Sequence, residues 1–242
     1  MANIVFPGQA VKVTIPTHTV EPVKAIALAQ LNMTGDMRHS LFSVSSKEAE
    51  DIFLDICKTE LQGSFEFAHF NIQIEGVTRA FQQQLTRTRL ASYSAESLRF
   101  TESGIEVLIG PHMLEMARES RHPNSGGVDW ECEIHTAMDN IERLYHDMID
   151  DGVPVEDARG ILPLNVLSKV GMSTSYKTLV HMSRVRMCYQ SQAGEWGEVF
   201  HRIFSELERI NPLLTIPLGA FCDHGQKCPF GSRLDRKCER SK

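Results

Sequence analysis

The apolar positions of this chain alternate between two periods, and the changes of period mark its elements. Ser45-Ser46-Lys47-Glu48 has the form of a capping box, a hydroxyl followed three residues later by a carboxylate. It predicts a helix with Ile52, Phe53, Ile56 and Leu61 on its inner face. Phe65, Phe67, Phe70, Ile72 and Ile74 then recur mostly every second residue, which predicts a strand with one slip of register. Val77, Phe81 and Leu85 space like one face of a short helix that runs into Arg87-Thr88-Arg89. Residues 90–100 carry neither period and read as a loop, and Ile105, Val107 and Ile109 read as a short strand.

His122-Pro123-Asn124-Ser125-Gly126-Gly127 is turn chemistry. Ile134, Met138, Ile141, Tyr145, Met148 and Ile149 form a helical stripe that Gly152 ends, with Pro154 placed to open another helix. Trp196, Val199, Phe200, Ile203, Phe204 and Leu207 form the strongest helical stripe of the chain. Helices and strands mix without a βαβ rhythm. The expected class is therefore α+β, a mixed sheet flanked by helices.

Composition narrows the partners. The 242 residues are 42% hydrophobic and 23% charged, enough to bury one sizeable core. We expect one domain over residues 1–242, with a Cys-containing tail from about residue 218. A net charge of −6 argues against a nucleic-acid polymer as partner, because such proteins are usually basic. No apolar run approaches the ~20 residues that span a bilayer. The first residues lack the basic flank and apolar segment of an export signal, so the expectation is a cytoplasmic protein with its six cysteines mostly as thiols.

The densest cluster of unusual residues lies at 82–100, with three arginines and three serines. Guanidinium forks and hydroxyls suit phosphate and other planar oxyanions. On composition alone a solvated basic loop explains the segment as well. The order of its residues is more specific. Arg87-Thr88-Arg89, seven residues, then Ser97 resembles the signature of the flavin-dependent thymidylate synthases, an Arg-His-Arg triplet followed at the same distance by Ser. Three further blocks resemble the same family in the same order: residues 64–80, residues 156–165 with Ala158-Arg159 and Leu162-Pro163, and residues 175–186.

The resemblance implies a fold and a chemistry. The family holds FAD, is reduced by NADPH, and moves a one-carbon unit from methylenetetrahydrofolate to carbon 5 of a uracil nucleotide, with no enzyme cysteine attacking the base. By position, Gln84, Arg87, Ala95, Glu96, Ser97, Leu98, Arg99 and Arg159 fall on the nucleotide side, residues 97–99 around its 5′-phosphate. Arg186 matches the Arg at the uracil carbonyl edge, where a fixed cation favours ionisation of the ring and makes carbon 5 nucleophilic. Gly63, Arg87, Thr88, Arg89, Ser175, Lys177 and His181 fall on the FAD side. The family also implies a homotetramer with shared sites. Taken singly, Arg159 and Arg186 read equally as helical salt-bridge residues, and His181 as a surface or core histidine.

Departures from the family pattern bear on substrate. Thr88 stands for the central His, Ser94-Ala95 for an Asn-Glu pair, Phe100 for a Tyr and Phe67 for a His. Alanine in place of a carboxylate beside the sugar removes bulk and an acceptor, which weakens a contact or admits a ribose 2′-hydroxyl. A uridylate methylase of polyoxin biosynthesis in the same family has a pocket relaxed in this way, and a phage-type enzyme on a modified pyrimidine is a third reading. Cys222, His224, Cys228 and Cys238 offer a zinc-like donor set, but the spacing is not that of a finger, and no metal is expected. The altered triplet also admits a catalytically silent nucleotide- or flavin-binding relative; retention of Gln84, Arg87, Arg89, Ser97, Arg99, Arg159 and Arg186 favours the enzyme.

Overall fold

The computed structural model describes residues 3–5, 7–59, 61–97, 105–110, 130–188 and 194–229. Within them the strands are β1 (Asn3–Val5), β2 (Lys12–His18), β3 (His69–Thr78), β4 (Ala91–Ala95), β5 (Glu106–Leu108) and β6 (Leu167–Ser175). The helices are α1 (Pro7–Ala10), α2 (Pro22–Met33), α3 (Ser46–Cys57), α4 (Arg79–Leu85), α5 (Trp130–Asp150), α6 (Val155–Ala158), α7 (Tyr176–Arg186) and α8 (Glu195–Ile210). One sheet has the order β2-β3-β6-β4, and β1 pairs in parallel with β5, Ile4 opposite Val107. This is the expected α+β class. None of the described helices is long and apolar enough to cross a membrane.

The chain divides into two compact units. Unit one comprises Met1–Val11, Glu75–Arg87 and Ser94–Val170. Its core gathers Ile105, Val107, Tyr145, Ala158 and Val166, with Met138, Met148 and Ile149 of α5 packed against them. Met138, Tyr145, Met148 and Ile149 belong to the predicted stripe; Ile134 and Ile141 are half-buried outside this cluster. The end of β3 belongs here, and Gly76 breaks its alternation with a left-handed φ of 69°, so that Val77 and Thr78 are buried in succession. A Cβ at Gly76 would lie 2.0 Å from the carbonyl oxygen of Ala10, a backbone approach that only glycine allows. Thr78 then caps α4, accepting from the Phe81 amide at 3.0 Å.

Unit two comprises Lys12–Ile74, Thr88–Tyr93 and Gly171–Lys242. Phe53, Phe65, Phe70 and Tyr176 meet in its core, the Phe65 and Tyr176 ring centroids 5.0 Å apart and edge to face. The Tyr176 hydroxyl donates to the Leu214 carbonyl at 2.6 Å, which satisfies the polar end of this buried ring. The α8 stripe buries Trp196, Val199, Phe200, Ile203 and Leu207 as its spacing predicts.

Several sequence expectations are corrected. Ser45 does cap α3, accepting from the Glu48 amide at 3.2 Å, but the Glu48 carboxylate takes both Nη atoms of Arg38 instead of returning to the cap. Leu61 lies beyond the helix and is exposed. Phe65 and Phe67 sit in a 3₁₀ turn, Gly63–Phe67, so the slip of register is the boundary between that turn and β3. Residues 91–95, read as loop, form β4, a strand without a buried side chain and so without an apolar signature. The turn at 122–127 lies outside the described residues.

Candidate active site

Unit one brings together part of the expected nucleotide side. Arg79, the first residue of α4, donates from Nη1 to Gln82 Oε1 at 2.8 Å and from Nη2 to the Glu96 carbonyl at 3.1 Å. Gln82 Oε1 also accepts from Ser168 Oγ of β6 at 3.2 Å, and the Glu96 amide donates to the Lys169 carbonyl at 2.9 Å. The segment entering residues 96–97 is therefore held from both sides. Burial pushes the Arg79 guanidinium below its usual value, the Glu96 carboxylate opposes that shift, and the charge of Arg159 adds to it. Arg79 Nε is buried with no partner. A guanidinium with an unused buried donor is suited to an anion.

Of the predicted residues in this unit, Gln84, Arg87 and Ala95 are exposed, and Glu96, Ser97 and Arg159 half-buried. Arg159 opens a 3₁₀ turn, and its Nε donates to the Glu156 carbonyl at 3.1 Å. Leu98 and Arg99 lie outside the described residues. The family resemblance gives Arg79 no role, although it stands within a block that carries that resemblance. Its position one residue after the capping Thr78 is the signal that points to it, since that places it at the joint of β3 and α4.

Unit two holds the remaining residues. Ser175 caps α7, accepting from the Thr178 amide at 3.3 Å and donating to Thr178 Oγ1 at 3.1 Å. Its hydroxyl is buried and committed, so Ser175 orients the helix that carries Lys177 and His181, both exposed and one turn apart. Lys177 approaches Glu66 at 3.5 Å, and Gly63 opens the same turn as Glu66. Arg89 is exposed and Thr88 half-buried. The Tyr93 hydroxyl donates to the Thr88 carbonyl at 2.9 Å, which ties the middle of the triplet to β4. Burial holds the Tyr93 phenol above its usual value, while that hydrogen bond and the charge of Arg186 pull it down. Arg186 ends α7 with its Cζ over the Trp196 ring, 4.1 Å from the centroid.

The exposed donors of unit two are of the type that a dinucleotide cofactor takes. Arg89, Lys177 and His181 offer exposed N–H donors for a diphosphate, and Gly63 has no side chain to bar an approach. Five cysteines, Cys57, Cys132, Cys188, Cys222 and Cys228, are free thiols, and Cys238 lies outside the described residues. Among the described residues no three His, Cys, Asp or Glu side chains group to hold a metal.

Comparison with known proteins agrees with the motif blocks. The family model described as thymidylate synthase complementing protein matches residues 14–213. The flavin-dependent thymidylate synthase of Geobacter sulfurreducens is 31% identical over 228 residues, 91% of each chain. That of Pyrococcus abyssi is 29% identical over 244 residues, 94% of this chain and 93% of its own. In fold, the chain resembles a UMP/dUMP methylase of Streptomyces cacaoi solved with 5-Br dUMP, with a TM-score of 0.67, 15% identity, and 89% and 96% of the two chains covered. The match spans both strand-to-helix joints and the Arg-Thr-Arg segment between them, and the chain belongs to the thymidylate synthase complementing protein family, that of the flavin-dependent thymidylate synthases.

Proposed function

We propose that this protein methylates carbon 5 of a uracil nucleotide, dUMP or UMP, with FAD bound, NADPH as reductant and methylenetetrahydrofolate as carbon donor. The observation that carries this reading is the Arg79 constellation: a half-buried guanidinium with an unused donor, held by Gln82 and the Glu96 carbonyl at the entrance to residues 96–97. Such a group is suited to a monoanionic or dianionic phosphate. Arg79 and the Glu96 main chain orient the phosphate segment, with Ser97, Leu98 and Arg99 following it. Gln84, Arg87 and Arg159 bind sugar and base.

Arg186 supplies a positive charge to the uracil carbonyl edge, where it stabilises the enolate-like charge of the ionised ring and so makes carbon 5 nucleophilic. Arg89, Lys177 and His181, with Gly63, Arg87 and Thr88, hold FAD, which when bound supplies the hydride that completes the methyl group. No residue serves as a covalent nucleophile toward the base. Homotetramer formation would cover the exposed apolar residues Leu61, Phe67 and Leu90 and the exposed site residues Gln84, Arg87 and Arg89.

Purified protein assayed side by side on dUMP, UMP and dCMP with FAD, NADPH and methylenetetrahydrofolate tests the reading. A yellow protein bleached by NADPH that yields a 5-methyl uracil nucleotide is expected. A colourless protein that binds nucleotide without turnover would replace it with a silent relative. Within the active protein, Arg186→Ala should bind FAD yet lose methylation, since removing a charged donor from a buried edge costs ~2–5 kcal/mol.

A further inference from the structure

We infer that Trp196 is a positioning residue for Arg186: its ring face holds the guanidinium at the height and orientation from which it meets the substrate. The inference rests on the reading of Arg186 as the activating cation. The Arg186 Cζ stands 4.1 Å from the Trp196 centroid, within the range in which the ring quadrupole attracts a cation. Arg186 is the last residue of α7, and its long side chain has many rotamers that a fixed partner must narrow to one. A cation–π contact acts on the centre of the guanidinium through its face and consumes none of its N–H hydrogens. It therefore fixes the group without using the donors that a planar base edge needs.

The shelf itself is buried and packed. Trp196 is 5% exposed and stacks on Phe200 with centroids 6.2 Å apart. Its place in the first turn of α8 is set by Gly194, the N-cap residue, at φ 95° and ψ −127°, a conformation open essentially to glycine alone. Tyr93 lies near enough for the Arg186 charge to act on its phenol, and Tyr93 in turn holds the Thr88 carbonyl. Two contacts of unit two are thus on either side of this charge, Arg186 on the Trp196 ring and the Tyr93 hydroxyl on the Thr88 carbonyl.

Ring fluorination tests this without changing shape, because each fluorine drains the ring quadrupole. The chain has two tryptophans, and the exposed Trp130 is replaced by Phe to leave Trp196 as the sole label. FAD-loaded protein carrying tryptophan with zero to three ring fluorines is compared for kcat/KM, nucleotide affinity and Tm. The expected result is a steady fall of log kcat/KM with fluorine number, on the order of threefold to thirtyfold in all, at unchanged Tm. Trp196→Phe should fall between wild type and Trp196→Leu, and this pair decides the matter if the fluorinated protein does not fold. A purely structural role would move Tm and leave the fluorine series flat, and a flat series overturns the inference. If Arg186→Ala keeps near wild-type turnover, the reading of Arg186 itself fails, an outcome distinct from a flat series beside an inactive Arg186→Ala.

Discussion

Arg79 Nη2 donates to the main-chain carbonyl of Glu96 at 3.1 Å, so the first residue of α4 sets the path of a segment 17 residues later. Replacing Arg79 by Met keeps much of the apolar stem but leaves the Glu96 carbonyl without this donor. The expected loss of stability is about 1–3 kcal/mol. The larger effect should be on nucleotide binding, a rise in KM on the order of tenfold or more, with FAD content unchanged. Arg79→Lys should recover little, because an ammonium cannot reach Gln82 and Glu96 at once with a planar fork. Nucleotide titration of the two variants checks this, and an unaltered KM in both would remove Arg79 from the site.

Gly76 is the tightest backbone position described. Gly76→Ala places a Cβ 2.0 Å from the Ala10 oxygen at a φ of 69°. The left-handed conformation alone costs roughly 1–3 kcal/mol on a non-glycine residue, and relief of the clash must shift β3 or the end of α1. Calorimetry should show Tm lower by at least roughly 5 °C. A variant with wild-type Tm would mean that the two backbones do not approach in this way.

The elements legible in the sequence were those whose buried face is apolar. Phe70, Ile72 and Ile74 announced β3, and the Trp196 to Leu207 stripe announced α8, because each alternates or repeats against polar neighbours. β6 stayed hidden because Ser168, Thr174 and Ser175 occupy its buried positions alongside Val170 and Met172, so period two is present in burial but not in hydrophobicity. α2 carries no clear stripe for a related reason, since Ala27 and Ala29 bury surface without marking a face. At the site, resemblance supplied the roles of the arginines, but the work of Ser175 as a cap and of Arg79 as a brace depends on partners far along the chain. Gln82, Glu96 and Ser168 meet only once β3 and β6 are folded.

Cys57 offers a test of the cysteine-independent chemistry. Burial pushes its thiol from 9.0 up to about 11, with the Arg184 charge opposing the shift. The thiolate is the reactive form, so alkylation of Cys57 should keep accelerating with pH toward about 11, whereas an ordinary thiol levels off near 9.0. The same shift has a sign for stability. Between these values the unfolded chain releases this proton first, so the contribution of Cys57 is complete below pH 9.0 and is lost as pH rises toward about 11. Mass spectrometry of alkylated native protein gives the rate, and a plateau near pH 9 would contradict the burial. Replacing all six cysteines by Ser or Ala should leave measurable turnover in a folded protein.

The proposed sugar preference turns on Ala95. It is exposed at the end of β4 and precedes Glu96, whose amide and carbonyl are fixed by Lys169 and Arg79. The main chain at this point is therefore held firmly, while the side chain facing outward is the smallest that a strand can carry without becoming glycine. A carboxylate here would add bulk and a fixed acceptor. Alanine adds neither, so the pocket should accept deoxyribose and ribose alike. A site that merely leaves room for a hydroxyl discriminates only about tenfold to a few hundredfold. Both dUMP and UMP should therefore be methylated, and Ala95→Glu should shift preference toward dUMP. Competition between the two nucleotides decides the matter. Rejection of UMP by ~10⁴-fold or more would require a hydrogen-bonded or sterically closed sugar site. Nothing at Ala95 supplies one, so that outcome would place the discrimination elsewhere and make the enzyme a strict thymidylate synthase.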